Sequence, residues 1–121
     1  MFNGIIKYTG KLISIKKKNK NCFIAIKSKL KFSKNDIGSS ISCSGVCLTL
    51  NSYKKNFSYF YLSLETLKKS NFRFYKIGDS INLEQSIKYG QRISGHFVQG
   101  HVDTTGTVIS INLLGLSLIH I

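Results

Sequence analysis

A chain of 121 residues with a formal net charge of +13 has room for one domain and a substantial buried core. Three cysteines, Cys22, Cys43 and Cys47, are odd in number, and Met1-Phe-Asn-Gly-Ile-Ile-Lys7 has neither a basic start nor a long apolar run. These features exclude a secreted disulfide scaffold and predict reduced thiols in a cytoplasmic protein. No apolar run approaches the ~20 residues a membrane span needs.

The charge is less informative than its size suggests. Lysine supplies 16 of the 18 positive charges, Asn, Ile, Phe and Tyr are abundant, and Pro and Trp are absent. That is the profile of A+T-rich codons. A phosphate-binding surface more often uses the planar fork of arginine. The run Lys16-Lys17-Lys18-Asn19-Lys20 reads as a solvated hairpin turn, and no nucleic-acid partner is expected.

In chain order, residues 2–16 read as β-rich, with Gly4 and Gly10 as bends or bulges. Residues 21–29 alternate, with Cys22, Ile24 and Ile26 on one face and Phe23, Ala25 and Lys27 on the other. A polar loop spans 33–38. Strands follow at 41–44 and 46–53, with a turn at Gly45 between them. After a tight connection at 54–56, residues 57–62 form an aromatic strand (Phe57, Tyr59, Phe60, Tyr61), whose rings are expected to fill a barrel interior. Residues 63–70 predict one helix, capped by Ser63, with Glu65 in its first turn and Lys68 and Lys69 in its last. A turn at 77–80 leads into a final strand. Many short strands with one helix predict a small closed β-barrel.

The segment after residue 96 repeats the start of the chain. At an offset of 96, Gly4/Gly100, Thr9/Thr105, Gly10/Gly106, Ile13/Ile109, Ser14/Ser110 and Ile15/Ile111 coincide. Phe2/Val98, Ile6/Val102 and Leu12/Val108 are apolar in both places. Glycines at matched spacing imply matched backbone turns. The expected organisation is a complete domain at 1–96 and, at 97–121, the opening of a second copy whose pattern breaks at about residue 113.

Candidate chemistry gathers near that junction. Cys43-x3-Cys47 and His96-x4-His101 have loose zinc-site spacing, but five residues apart on one strand would point the two histidines to opposite faces, so no metal is expected. His101 follows Gly100 and replaces apolar Ile5 of the first copy, which makes it a candidate for proton handling. Cys47, Thr49 and Thr66 are small polar groups on apolar segments and suit a shallow pocket for a flat heterocycle. Glu65 is either a first-turn charge or a ligand contact.

Four motifs, Met1-Phe-Asn-Gly-Ile-Ile6, Gly45-Val-Cys-Leu-Thr-Leu50, Leu64-Glu-Thr-Leu67 and Gly95-His-Phe-Val-Gln-Gly-His-Val-Asp103, occur in order over most of the chain. Together they resemble riboflavin synthase, the α-chain, lumazine-binding family. The resemblance implies an all-β fold of two similar six-stranded Greek-key barrels, each with one short helix. Here it implies the first barrel plus the first strand of a second. The implied reaction converts two molecules of 6,7-dimethyl-8-ribityllumazine to riboflavin and 5-amino-6-ribitylaminouracil, with no metal or organic cofactor. Carried over by position, Gly4, Ile5 and Ile6, Cys47, Leu48 and Thr49, Tyr61, Leu62, Ser63, Leu64, Glu65 and Thr66, and Gly100, His101 and Val102 look like lumazine-contacting segments. Phe2 matches the family's N-terminal phenylalanine, and Asn3 stands where the family usually has threonine. His101 and Cys47 are the implied catalytic candidates. The family's pocket forms between the first barrel of one subunit and the second barrel of its neighbour in a homotrimer; for this barrel by itself a homodimer is the expected alternative. A non-catalytic lumazine- or flavin-binding protein of the same fold is the competing reading. His120, in the tail after the pattern breaks, receives no functional role.

Overall fold

The computed structural model describes residues 1–114 and 117–118. Six antiparallel strands close into a barrel: β1 (Tyr8–Lys18), β2 (Asn21–Ser28), β3 (Ser40–Cys43), β4 (Val46–Lys54), β5 (Phe57–Ser63) and β6 (Ser80–Gln85). Neighbours run in the order β1-β2-β5-β4-β3-β6, and β6 returns to β1 through Tyr8↔Leu83 and Gly10↔Ile81. Closure leaves the barrel no free edge strand. Helix α1 (Leu64–Lys69) follows β5 directly.

Period-two alternation decides what fills the interior. Leu12, Ile24, Ile26, Ile41, Cys43, Leu48, Leu50, Phe60, Leu62, Ile81 and Leu83 point inward and are almost fully buried. On β5 the expectation of an aromatic filling holds for one ring of the four. Phe60 is buried, whereas Phe57, Tyr59 and Tyr61 take the opposite, outward parity. Tyr61 packs on Phe23 across the ladder, with ring centroids 5.5 Å apart, and its hydroxyl donates to Asn21.

Gly10 lies where β1 is flanked by both its neighbours. A Cβ there would lie 2.5 Å from Ile26 Cγ2 and 3.2 Å from Leu83 Cδ1, so glycine leaves room for these two core side chains of β2 and β6. Just beyond, the β1–β2 register slips between Leu12 and Ser14, a bulge that lifts Ile13 outward. The β1–β2 hairpin turns at Asn19, whose φ of 55° is the left-handed conformation asparagine tolerates. The lysine run read as a hairpin turn is therefore corrected in part: Asn19 and Lys20 make the turn, whereas Lys16, Lys17 and Lys18 are exposed residues of β1 paired with β2.

Two sequence-based placements are corrected. Residues 3–7 are not strand: Gly4 turns with φ 75°, and β1 begins only at Tyr8. His96 and His101 do not share a strand either, because Gly95 and Gly100 break the backbone around them. Opposite faces of a strand therefore do not separate the two histidines. Phe2 instead forms an isolated antiparallel bridge with Val98. Gly4 and Gly100, aligned by the offset of 96, adopt φ of 75° and 76°. Residues 104–112 pair with no strand among the described residues, and Leu113–Leu114 pairs with Ser117–Leu118. His120 lies outside the described residues.

Candidate functional site

The local chain builds the site from three directions. The β3–β4 hairpin turns at Ser44 (φ 47°) and Gly45 (φ 83°), which delivers Cys47 as the second residue of β4. The carbonyl of Gly100 accepts the Cys47 N–H at 2.8 Å and holds the segment 98–102 against that strand. Only glycine permits this approach: a Cβ on residue 100 would sit 2.9 Å from the Cys47 nitrogen, and its φ is positive. The third direction is α1. Ser63 caps it, its Oγ accepting the Thr66 N–H at 3.1 Å and lying 3.0 Å from the Thr66 hydroxyl.

These elements surround a cavity of about 250 Å³ lined by Cys47, Glu65, Thr66, Gly100, His101 and Val102, with Val46, Lys69, Ser70 and Asp103 completing its wall. Val102 packs partly against the core, and His101 is exposed at the rim. Glu65 and Lys69 pair at 2.9 Å. The hydrogen bond from Lys69 holds the Glu65 carboxyl below its ordinary range, and the same contact raises Lys69. The three thiols differ in environment. Burial pushes Cys43 far up, and the neighbouring Cys47 adds to that; burial also raises Cys22, with Lys17 opposing it. Cys47 alone of the three is only half buried and reaches the cavity.

Of the sequence-derived site residues, the structure brings together Cys47, Glu65, Thr66, Gly100, His101 and Val102. Leu48 and Leu62 face the barrel core instead, and Thr49 is exposed opposite Ser40. Tyr61 lies on the outer face, and Ser63 acts through its cap on Thr66. Leu64 faces a separate apolar cavity of about 240 Å³ on the other side of α1, with Leu67, Phe72 and Tyr75. Phe2 is buried beneath its bridge to Val98, Ile5 lines a third cavity with Glu84, and Ile6 is exposed. Sequence reasoning missed Val46, Lys69, Ser70 and Asp103 as lining residues. Lys69 was legible as the i+4 partner of Glu65, and Val46 and Asp103 stood within the motifs Gly45–Leu50 and Gly95–Asp103.

The closed Greek-key barrel thus carries a thiol, a hydroxyl and an imidazole around a small cavity beside α1. Residues 3–86 match the family described as lumazine binding domain, and the chain belongs to that family. Among relatives, riboflavin synthase of Photobacterium leiognathi is 38% identical over 119 residues, covering 98% of this chain and 55% of that protein. Riboflavin synthase of Buchnera aphidicola subsp. Baizongia pistaciae is 38% identical over 109 residues, 89% of this chain and 51% of its own length. The Escherichia coli (strain K12) riboflavin synthase is 35% identical over 112 residues, covering 92% and 53% respectively. The chain thus spans about half the length of the curated relatives it matches. Among solved structures, LumP complexed with riboflavin superposes with a TM-score of 0.74 at 23% identity, over 94% of this chain and 62% of that one. LumP complexed with flavin mononucleotide gives 0.73 at 24% identity, over 93% and 63%. These two likenesses bear out the barrel fold.

Among the described residues no helix is long and apolar enough to cross a membrane.

Proposed function

We propose that this chain is the first lumazine-binding barrel of a cytoplasmic riboflavin synthase. The proposed reaction takes two molecules of 6,7-dimethyl-8-ribityllumazine, one giving a four-carbon unit to the other, and yields riboflavin and 5-amino-6-ribitylaminouracil. The observation that carries this reading is the hydrogen bond from Cys47 N–H to the Gly100 carbonyl. It sets a thiol and the following imidazole, His101, on one cavity wall opposite Thr66.

The pteridine provides its own electron sink and an acidic methyl group, so the protein has to hold two rings together and move protons. His101, at the rim, is the proposed proton carrier. Cys47 is the proposed assisting thiol, and Thr66 supplies a hydroxyl fixed by Ser63. Glu65, held ionised by Lys69, gives the cavity an acceptor edge for hydroxyls or ring N–H groups. The cavity of about 250 Å³ is read as the seat of one bicyclic ring. The second ring sits on a second barrel facing the first, as the family resemblance implies for a homotrimer of two-barrel subunits.

Fluorescence titration with riboflavin tests the binding half of this reading: saturable quenching at micromolar protein is expected, and its absence sinks the proposal. A full catalytic rate from the 121-residue chain by itself would contradict a site shared between two barrels.

A further inference from the structure

Five carboxylates stand against 18 cationic side chains in this sequence, yet Glu84 makes no ion pair among the described residues. Its two oxygens instead accept consecutive backbone amides of the N-terminal arm: Asn3 N–H to Oε1 at 2.7 Å and Gly4 N–H to Oε2 at 3.1 Å. Eighty-one residues separate Asn3 from Glu84. The carboxylate projects from the outward parity of β6, next to buried Leu83, and so lies over the arm and not inside the barrel. Such charge-assisted bonds are the strong class, and a carboxylate suits two neighbouring N–H groups better than any neutral side chain.

From this contact a continuous chain of bonds leads to the ligand cavity. Asn3 and Gly4 follow Phe2, which donates to the Val98 carbonyl at 2.8 Å and accepts from the Val98 N–H at 3.0 Å. Two residues after Val98, Gly100 accepts the Cys47 amide, and His101 then enters the cavity wall. Few other contacts fix the arm. The Met1 carbonyl accepts from Ile87 N–H, and the Asn3 carbonyl accepts from His96 N–H.

We propose that Glu84 is a positioning residue for the ligand cavity. By binding the Asn3 and Gly4 amides it fixes the N-terminal arm, the arm fixes residues 98–100, and these seat His101 against Cys47. The inference deepens the lumazine-binding reading and rests on it for its ligand.

Riboflavin titration and amide hydrogen exchange on the 121-residue chain test it, using wild type, Glu84→Ala and Glu84→Gln. In Glu84→Ala the riboflavin dissociation constant is expected to rise about tenfold, the scale of losing hydrogen bonds to a charged group. The amides of Asn3, Gly4, Val98 and Cys47 should exchange faster, while those of Ile24 and Phe60 in the β2–β5 ladder keep their protection. Glu84→Gln retains one acceptor oxygen and should fall between the two; it carries the same test if the alanine variant does not fold. Unchanged affinity together with unchanged Cys47 exchange overturns the proposal, and so does a uniform loss of protection that includes Ile24 and Phe60. If wild-type protein does not bind riboflavin, the ligand reading fails, and the Cys47 amide still decides whether Glu84 positions this wall.

Discussion

Phe2 and Val98, which an offset of 96 residues aligns in the sequence, lie opposite each other in the folded chain and exchange both backbone hydrogen bonds. A bridge of this kind is locally two-fold symmetric. Two residues on, the Gly100 carbonyl accepts the Cys47 amide, so residues 100–102 complete the cavity of a barrel whose last strand ended at Gln85.

The thiols should react in a fixed order. Cys22 and Cys43 are buried in the core at 1% and 0% exposure, and Cys47 faces the cavity. Alkylation of the native protein, followed by mass spectrometry, is expected to place the first adduct on Cys47. Saturating riboflavin should slow that adduct selectively, because Cys43 waits on opening of the barrel and Cys22, 1% exposed, lines the separate cavity shared by Leu64 and Leu67. Labelling of Cys22 or Cys43 ahead of Cys47 would contradict a cavity that reaches Cys47 alone.

Alkaline pH should destabilise the fold through Cys43. Burial raises its folded pKa above the unfolded value of 9.0, so its contribution is intact below that value and is lost as pH rises through it. The slope approaches about 1.4 kcal/mol per pH unit for one such group. Cys22, raised by burial, adds the same sign. Denaturant melts between about pH 8 and about pH 10.5, a span that brackets the ordinary thiol range, should show this decline. Cys43→Ala should start lower but fall less steeply.

Adjacent residues on β5 should respond unequally to truncation. Phe60 is 1% exposed and Tyr59 is 36% exposed. Phe60→Ala is expected to cost about 3–5 kcal/mol, a transfer loss plus an unfilled cavity. Tyr59→Ala should cost about 1 kcal/mol or less. Equal losses in urea melts would mean that the inward and outward faces of the strand are misassigned.

Two glycines should fail for different reasons. Gly10→Ala forces a methyl group against Ile26 and Leu83 and is expected to cost about 1–3 kcal/mol by overpacking. Gly45 has nothing within 4 Å of the place a methyl group would take, but it holds φ at 83°. Gly45→Ala is therefore expected to cost about 1–2 kcal/mol of backbone strain. The companion change Ile26→Ala, which removes the Cγ2 that the new methyl group would strike, should relieve part of the first loss and none of the second, as double-mutant melts would show.

The strands and helix were legible in the sequence because alternation and capping are local. Cys22, Ile24 and Ile26 announced the inner face of β2, and Ser63 with Glu65 and the two lysines announced α1. The aromatic strand shows where residue type competed with parity. Its rings suggested filling, but the two-residue period sends Tyr59 and Tyr61 out. The site was legible in part, since Cys47, Thr66 and His101 stand in motifs. What joins them was not. The bonds of Phe2 to Val98, Cys47 to Gly100 and Asn3 to Glu84 all use backbone groups, which every residue carries, across separations that leave no periodic trace.

The ladder between β1 and β6 also has a consequence in time. The chain is made from its N-terminus, and Tyr8 must wait for Leu83 before its outer edge is paired. Until then the hairpin of β1 and β2 presents an open strand edge to whatever surrounds the nascent chain. The last steps of folding are the ones with the longest loops to close, so the barrel should form late and all at once, with the cavity wall at residue 100 among the final parts to arrive.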